Sequence, residues 1–414
     1  MVSSFPPGGA RAVARCDALG VAPYSDMEDG LYRGYLTPAY AAAQEALAGW
    51  MAQAGMIVLR DAAANLIGRY EGNAPGAPAL LIGSHLDSVR DAGRYDGPLG
   101  IMLGIELVDV LHRVGERLPF PIEVIAFGDE EGSRFPAAML TSRAVAGTLA
   151  PEALEIVDGE GVPLAQAGVS LTDYLSAARV PGATLAYLEA HIEQGPVLEA
   201  EGLALGTVTG IAAQLRLSVT IIGTAGHAGT TSMPLRRDAL AGVAEMMLAI
   251  ETIARDDTSD LVATVGRIEA APGAANVIPG HVTFTIDIRS GDAARRDRAA
   301  HAIIDRITRI AAGRTLSIWT EQVHDLPASP CDPRLMDLLD AAIVAEGQPP
   351  RRLVSGAGHD AMVMAALCPT AMLFIRCRGG ISHNPAEHVA PDDADAALRV
   401  MLQFVRMLAD DPAL

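Results

Sequence analysis

Short, largely apolar runs that halt at a histidine or a carboxylate impose the strongest constraint on this chain. Residues 79–84 stop at His85, residues 122–127 stop before the acidic loop Gly128-Asp129-Glu130-Glu131-Gly132, and residues 186–189 lead into His191. Between the first two, residues 99–115 carry apolar positions at helical spacing. Runs this short and this apolar belong to strands buried on both faces. Their alternation with helices predicts an α/β fold built on a mostly parallel sheet.

The pattern changes between about residues 215 and 319. Residues 215–222, 261–268 and 281–288 alternate polar and apolar positions, as half-buried antiparallel strands do, and residues 237–254 and 293–312 read as helices. Pro327, Pro330 and Pro333 mark an exit, after which a helix–strand–helix pattern returns. The expected organisation is a sheet domain over residues 1–212 and 328–414, interrupted by an α+β domain over residues 213–327.

Composition narrows the chemistry. All 31 basic residues are arginine, so Schiff-base, PLP and Walker-type chemistry lack their lysine. Fifty carboxylates set the net charge at −19, which opposes nucleic acid and anionic membrane surfaces. No apolar run approaches the roughly 18 residues of a membrane span. Cys16, Cys331, Cys368 and Cys377 form no CxxC spacing, and the start shows no basic and apolar export signal, so reduced thiols and a cytoplasmic location are expected.

The candidate chemistry collects at strand ends, where open α/β sheets place their ligands. In the segment GSHLDS, His85 and Asp87 point the same way if the strand stays extended, and Asp96 follows in RYDG. Asp87 would then hold the imidazole tautomer that a metal ligand needs; the alternative is a turn with a solvated carboxylate. The three carboxylates Asp129, Glu130 and Glu131 in one glycine-flanked loop read as a cation site with one carboxylate left free as a base, or as an exposed acidic turn. His191 in EAHIEQG and His383 in GISHNPAEH are ligands or ordinary edge and turn residues. Taken together, these groups offer nitrogen and oxygen donors enough for two ions.

The ordered motifs GSHLDS, RYDG, FGDEEGSRF, HIEQGPVLE, GHAGTT, ANVIPG and GISHNPAEH, from about Tyr70 onward, resemble the hydantoinase/carbamoylase branch of the aminoacylase-like dinuclear metallohydrolases. The resemblance implies a zinc-peptidase-like catalytic domain with an inserted lid and dimerisation domain, hence a homodimer. It implies His85, Asp96, Glu131, His191 and His383 as ligands of two divalent ions, with Asp96 bridging. His85 and His191 complete one site, and Glu131 and His383 the other. It assigns Glu130 as general base and His227, acting on the partner's site, as a stabiliser of the oxyanion. Zinc or manganese is expected, with cobalt or nickel also compatible with N/O ligands lacking sulfur.

The implied reaction is hydrolysis of a ureido C–N bond, with release of ammonia and carbon dioxide from a small carboxylate-bearing ureide. Arg289 ends an alternating strand with a guanidinium fork suited to a carboxylate, or to a surface salt bridge. Asn276 is a second substrate-binding candidate, or a turn cap. Gln214, in GIAAQLR, resembles the glutamine of allantoate amidohydrolases, whose substrate has two ureido groups, although Leu215 departs from the arginine often found there. Allantoate is therefore the expected substrate. The alternatives are N-carbamoyl-L-amino acids or 3-ureidopropionate and, from a different class, a catalytically dead binding protein.

Overall fold

The computed structural model describes residues 8–411, which divide into two compact units. The first runs up to Thr209 and resumes over Cys331–Leu353 and from Ala357 on; the second comprises Gly210–Pro330 and Val354–Gly356.

In the first unit the sheet order is Ile57–Arg60, Leu66–Tyr70, Ile122–Phe127, Ala79–His85, Thr184–Ile192, Thr370–Ile375 and Leu205–Ile211. Its four central strands, from Ile122–Phe127 to Thr370–Ile375, run parallel, and the flanking strands are antiparallel. Every residue of Ala79–His85, Ile122–Phe127 and Thr370–Ile375 is buried, which is why these runs could not alternate in sequence. The chain leaves Ala79–His85 for one neighbour, Ile122–Phe127, then crosses to the other, Thr184–Ile192. This reversal opens a crevice at the carboxyl ends of those strands.

The Pro98–Val114 helix starts with proline at its first turn and stops at Gly115, which takes a left-handed conformation (φ 69°). It packs on Ala79–His85 and Thr184–Ile192 and buries residues around nearly its whole circumference. Gly100 permits this approach: a Cβ there would lie 2.2 Å from the Ala190 carbonyl oxygen. All four cysteines are buried free thiols, and burial pushes them up, to about 12 at Cys331 and Cys368 and about 11 at Cys377. No helix among the described residues is long and apolar enough to cross a membrane.

The second unit is an antiparallel sheet in the order Ile268–Ala271, His281–Ser290, Ala213–Ile222 and Ser317–Leu326, with Val262–Thr264 also paired to His281–Ser290. Leu215, Leu217, Val219 and Ile221 alternate with polar neighbours and meet Val282, Phe284, Ile286 and Ile288 in one core with helices Ala239–Asp256 and Ala293–Gly313. Asp238 and Asp292 cap those helices through side-chain oxygens that accept backbone N–H groups, contacts each worth about 1 kcal/mol.

The single strand expected over residues 261–268 is instead two, Val262–Thr264 and Ile268–Ala271. Thr264 faces Asp287 and Ile268 faces Phe284, so this edge holds one more residue than its partner between those pairs. That extra residue, in the stretch containing Gly266, is a bulge that breaks the ladder.

Candidate metal centre and active site

The carboxyl ends of the central strands place His85, Glu130, Glu131 and His191 around one cavity of about 450 Å³, which Asp96 and His383 also line. Asp96 stands at its centre. One oxygen, Oδ1, lies 3.0 Å from His191 Nε2 and 3.6 Å from His85 Nε2; the other, Oδ2, lies 3.3 Å from His383 Nε2. His383 Nε2 is in turn 3.1 Å from Glu131 Oε1. The sets His85–Asp96–His191 and Asp96–Glu131–His383 each bring their donor atoms within 4.8 Å of one another. Gly97 makes the approach possible: its φ is +83°, and a Cβ there would sit 2.5 Å from the His85 ring.

The hydrogen bonds around this centre test its fitness for cations. His85 Nδ1 lies 3.0 Å from the Asp87 carbonyl oxygen, and His191 Nδ1 lies 2.9 Å from the Ile192 carbonyl oxygen. A carbonyl only accepts, so each ring carries a proton on Nδ1 and turns its Nε2 to the Asp96 carboxylate. Asp96 Oδ1 and His191 Nε2 are buried and make no hydrogen bond. A nitrogen facing a buried carboxylate needs a proton or a metal ion between them, and here three imidazole Nε2 atoms converge on the one carboxylate of Asp96, a donor set that fits a metal. Hydrogen bonds to Asp96 and Glu131 push the His383 imidazole up to about 10, because both carboxylates favour its charged form.

Asp87 does not orient His85 through its carboxylate, as the strand geometry led us to expect. The strand ends at His85 and the chain turns, so the Asp87 carbonyl takes that role while its carboxylate lies 3.9 Å from Nδ1. The freed carboxylate braces the acidic loop instead, accepting the N–H groups of Glu130 at 3.1 Å and Glu131 at 3.2 Å. Asp129 just before them is left-handed at φ 56°, a conformation that aspartate tolerates better than most residues, and it turns the chain between the strand and the two glutamates. Burial drives the Glu130 carboxyl well above its usual range; His85 opposes this, and Asp360, Glu131 and Asp87 add to it.

Several residues here had no role assigned from sequence. Glu189 is fully buried and accepts the Ser84 hydroxyl at 2.8 Å and the Ala361 N–H at 2.9 Å. His359 lines the cavity with its ring edge against His191, the ring centroids 4.4 Å apart. Gln194 Nε2 donates to Asp96 Oδ2 at 2.8 Å. The available signal was a glycine-flanked histidine–aspartate pair, Gly358-His359-Asp360, resembling the other strand-end segments.

The remaining candidates lie in the second unit. Strand register sets Arg216 opposite Asp287 and Gln214 opposite Arg289. The Arg289 fork is not free: Nε and Nη2 hold the two Asp287 oxygens at 2.8 and 2.9 Å, and Nη1 donates to the Gly356 carbonyl. Positions two apart on a strand share a face, which brings Asp287 within reach. Arg216 also donates to Asp287, at 2.7 Å, so two guanidinium groups share one carboxylate and one positive charge is left over. Gln214 is buried, its Oε1 3.5 Å from Arg216 Nη2. His227 is exposed and accepts the Gly229 N–H at Nδ1 (3.1 Å), which assigns its proton to Nε2. The Asn276 carbonyl takes the N–H of the adjacent Ala228 at 2.9 Å.

Manganese or zinc at 100 times its dissociation constant stabilises the folded state by about 2.7 kcal/mol, and a chelator should reverse the gain. Thermal unfolding of metal-stripped protein with each divalent ion checks this; no shift with zinc, manganese, cobalt or nickel would remove the metal assignment.

Residues 81–407 match the profile of Peptidase family M20/M25/M40. The chain is 45% identical over 371 residues to an N-carbamoyl-L-amino acid amidohydrolase of Geobacillus stearothermophilus, covering 89% of this chain and 90% of that protein. It is 43% identical over 430 residues to an allantoate deiminase of Arabidopsis thaliana, covering 95% and 81% respectively. Among solved structures, an amidase of the hydantoinase/carbamoylase family from Burkholderia multivorans superposes with a TM-score of 0.90 at 35% identity, covering 99% of this chain and all of that one.

Proposed function

Because the chain belongs to peptidase family M20/M25/M40, among its hydantoinase/carbamoylase amidases, we propose that it hydrolyses the ureido C–N bond of a small carboxylate-bearing ureide. The observation that carries this reading is Asp96 with its two oxygens turned to two different ligand sets, beside a buried Glu130 in the same cavity. Such a carboxylate suits a bridge between two divalent ions. His85 and His191 would complete one site, and Glu131 and His383 the other.

Divalent cations held by these residues would supply Lewis-acid polarisation of the scissile carbonyl and of the attacking water. With their charge offsetting the burial that favours its neutral form, Glu130 would accept the proton of that water and return it to the leaving nitrogen. The R–NH–CO–NH2 group thereby yields the amine R–NH2 and carbamate, which breaks down to ammonia and carbon dioxide. His227, with its proton on Nε2, has the donor needed for the developing oxyanion, and in this reading it serves the partner's site in a homodimer. An inert binding protein would be betrayed by a lost ligand or base. All five ligand types and Glu130 are present at the cavity.

Allantoate is the proposed substrate. Gln214 beside Arg216 offers an amide for its second ureido group, and the net positive charge of Arg216, Arg289 and Asp287 suits its carboxylate. N-Carbamoyl-L-amino acids are the second reading, favoured by the 45% identical relative. Ammonia release from metal-loaded protein supplied with allantoate, N-carbamoyl-L-amino acids and 3-ureidopropionate tests both. Preference for a carbamoyl amino acid would replace the first reading with the second, and no release from any ureide would sink both.

Arg289→Ala removes the surplus positive charge beside Asp287 and should raise KM for carboxylate-bearing ureides by about 10- to 100-fold, the scale of a charge-assisted interaction worth roughly 1.5–3 kcal/mol. An unchanged kcat/KM would show that Arg289 serves only to hold Asp287.

A further inference from the structure

The loop that carries His383 also grips Asp96. Ser382 Oγ donates to Asp96 Oδ2 at 2.5 Å, which fixes the carboxylate end. Four residues beyond His383, the buried Glu387 reaches the main chain: its Oε1 accepts the N–H of Tyr95 at 2.7 Å and that of Asp96 at 3.1 Å. Both amides lie just ahead of the Pro98–Val114 helix, whose N-terminus favours a negative group. The Asp96 loop wraps directly onto this side chain, since a Cβ added at Gly93 would lie 2.2 Å from Glu387 Cδ and 2.4 Å from its Cβ. Glu387 itself is not among the residues lining the cavity.

We propose that Glu387 is a positioning residue for the metal centre, tying the Asp96 loop to the His383 loop through the two hydrogen bonds its carboxylate oxygen accepts. The proposal rests on the metal-hydrolase reading above. Asp96 is then held at both ends, its main chain by Glu387 and its carboxylate by Ser382 and Gln194. Loss of the acceptor would orphan two buried N–H groups and let the bridging carboxylate shift away from His383. The chemistry would suffer while the substrate contacts stayed in place.

The test compares Glu387→Ala, Glu387→Gln and Gly93→Ala with wild type. Affinity of the metal-stripped proteins for manganese and zinc is measured by competition with a chromophoric chelator, and kcat and KM are measured on the best ureide. Glu387→Ala should weaken metal binding by about 10- to 100-fold and lower kcat with little change in KM. Glu387→Gln keeps an oxygen that accepts both N–H groups and should stay within about threefold of wild type. Gly93→Ala pushes Glu387 aside and should move toward the alanine variant. Wild-type metal affinity in Glu387→Ala, or equal damage in Glu387→Gln and Glu387→Ala, would overturn the proposal. If Glu387→Ala does not fold, wild-type affinity in Gly93→Ala overturns it instead. A wild-type protein that binds neither ion removes the functional reading and this role with it, whereas tight wild-type binding left intact by the substitutions removes this role alone.

Discussion

Glu130→Gln is expected to abolish turnover while both ions stay bound. Loss of a general base costs about 10²–10⁴-fold in rate, and nothing that holds the loop is lost with it. The Glu130 and Glu131 N–H groups would still be anchored on Asp87, and the amide nearly matches the carboxyl in shape. Glu131, which faces His383, would keep its ligand position. Elemental analysis of metal content alongside ammonia release checks the outcome. Should metal content fall to half while a high rate persists, the roles of the two glutamates are exchanged.

The second large effect is a recovery of activity. Glu130→Ala and His227→Ala subunits are each expected to be inactive alone and to regain activity together if His227 works across a homodimer. Under free exchange about half the dimers become heterodimers, each with one doubly damaged and one intact site. About a quarter of wild-type activity should then return, provided the sites act independently. His227 is exposed, paired in a two-residue ladder with Val277, and carries its proton on Nε2, so it has a donor free of its own loop's Gly229 N–H. If it served its own chain, every site would keep one lesion and mixing would restore nothing.

Strand ends were legible in the sequence because each is a local event. The run 122–127 coincides with an observed strand, since a short, largely apolar stretch between polar breaks has one way to be buried on both faces. His85, Glu130, Glu131 and His191 follow such runs within four residues and were therefore expected at the mouth of the sheet, whereas His383 lies eight residues past Ile375 and its role, like theirs, came from the resemblance. The split near Gly266 was not, because alternation looks the same whether a ladder is continuous or bulged.

Which group touches which was decided by the tertiary structure. Asp87 shares a strand end with His85, yet its carboxylate serves Glu130 and Glu131, more than forty residues on. Arg289 ends its strand as expected, yet its charge is answered by Asp287, a neighbour whose reach depends on the pleat and on the register with Arg216. Glu189 meets Ser84 across 105 residues of chain, and Glu387 meets Tyr95 across 292. A residue's type and its local pattern thus determined that it would stand at the mouth of the sheet. The hydrogen bonds that give it a role form between segments far apart in sequence, where burial forces each polar group to find whatever partner the fold brings to it.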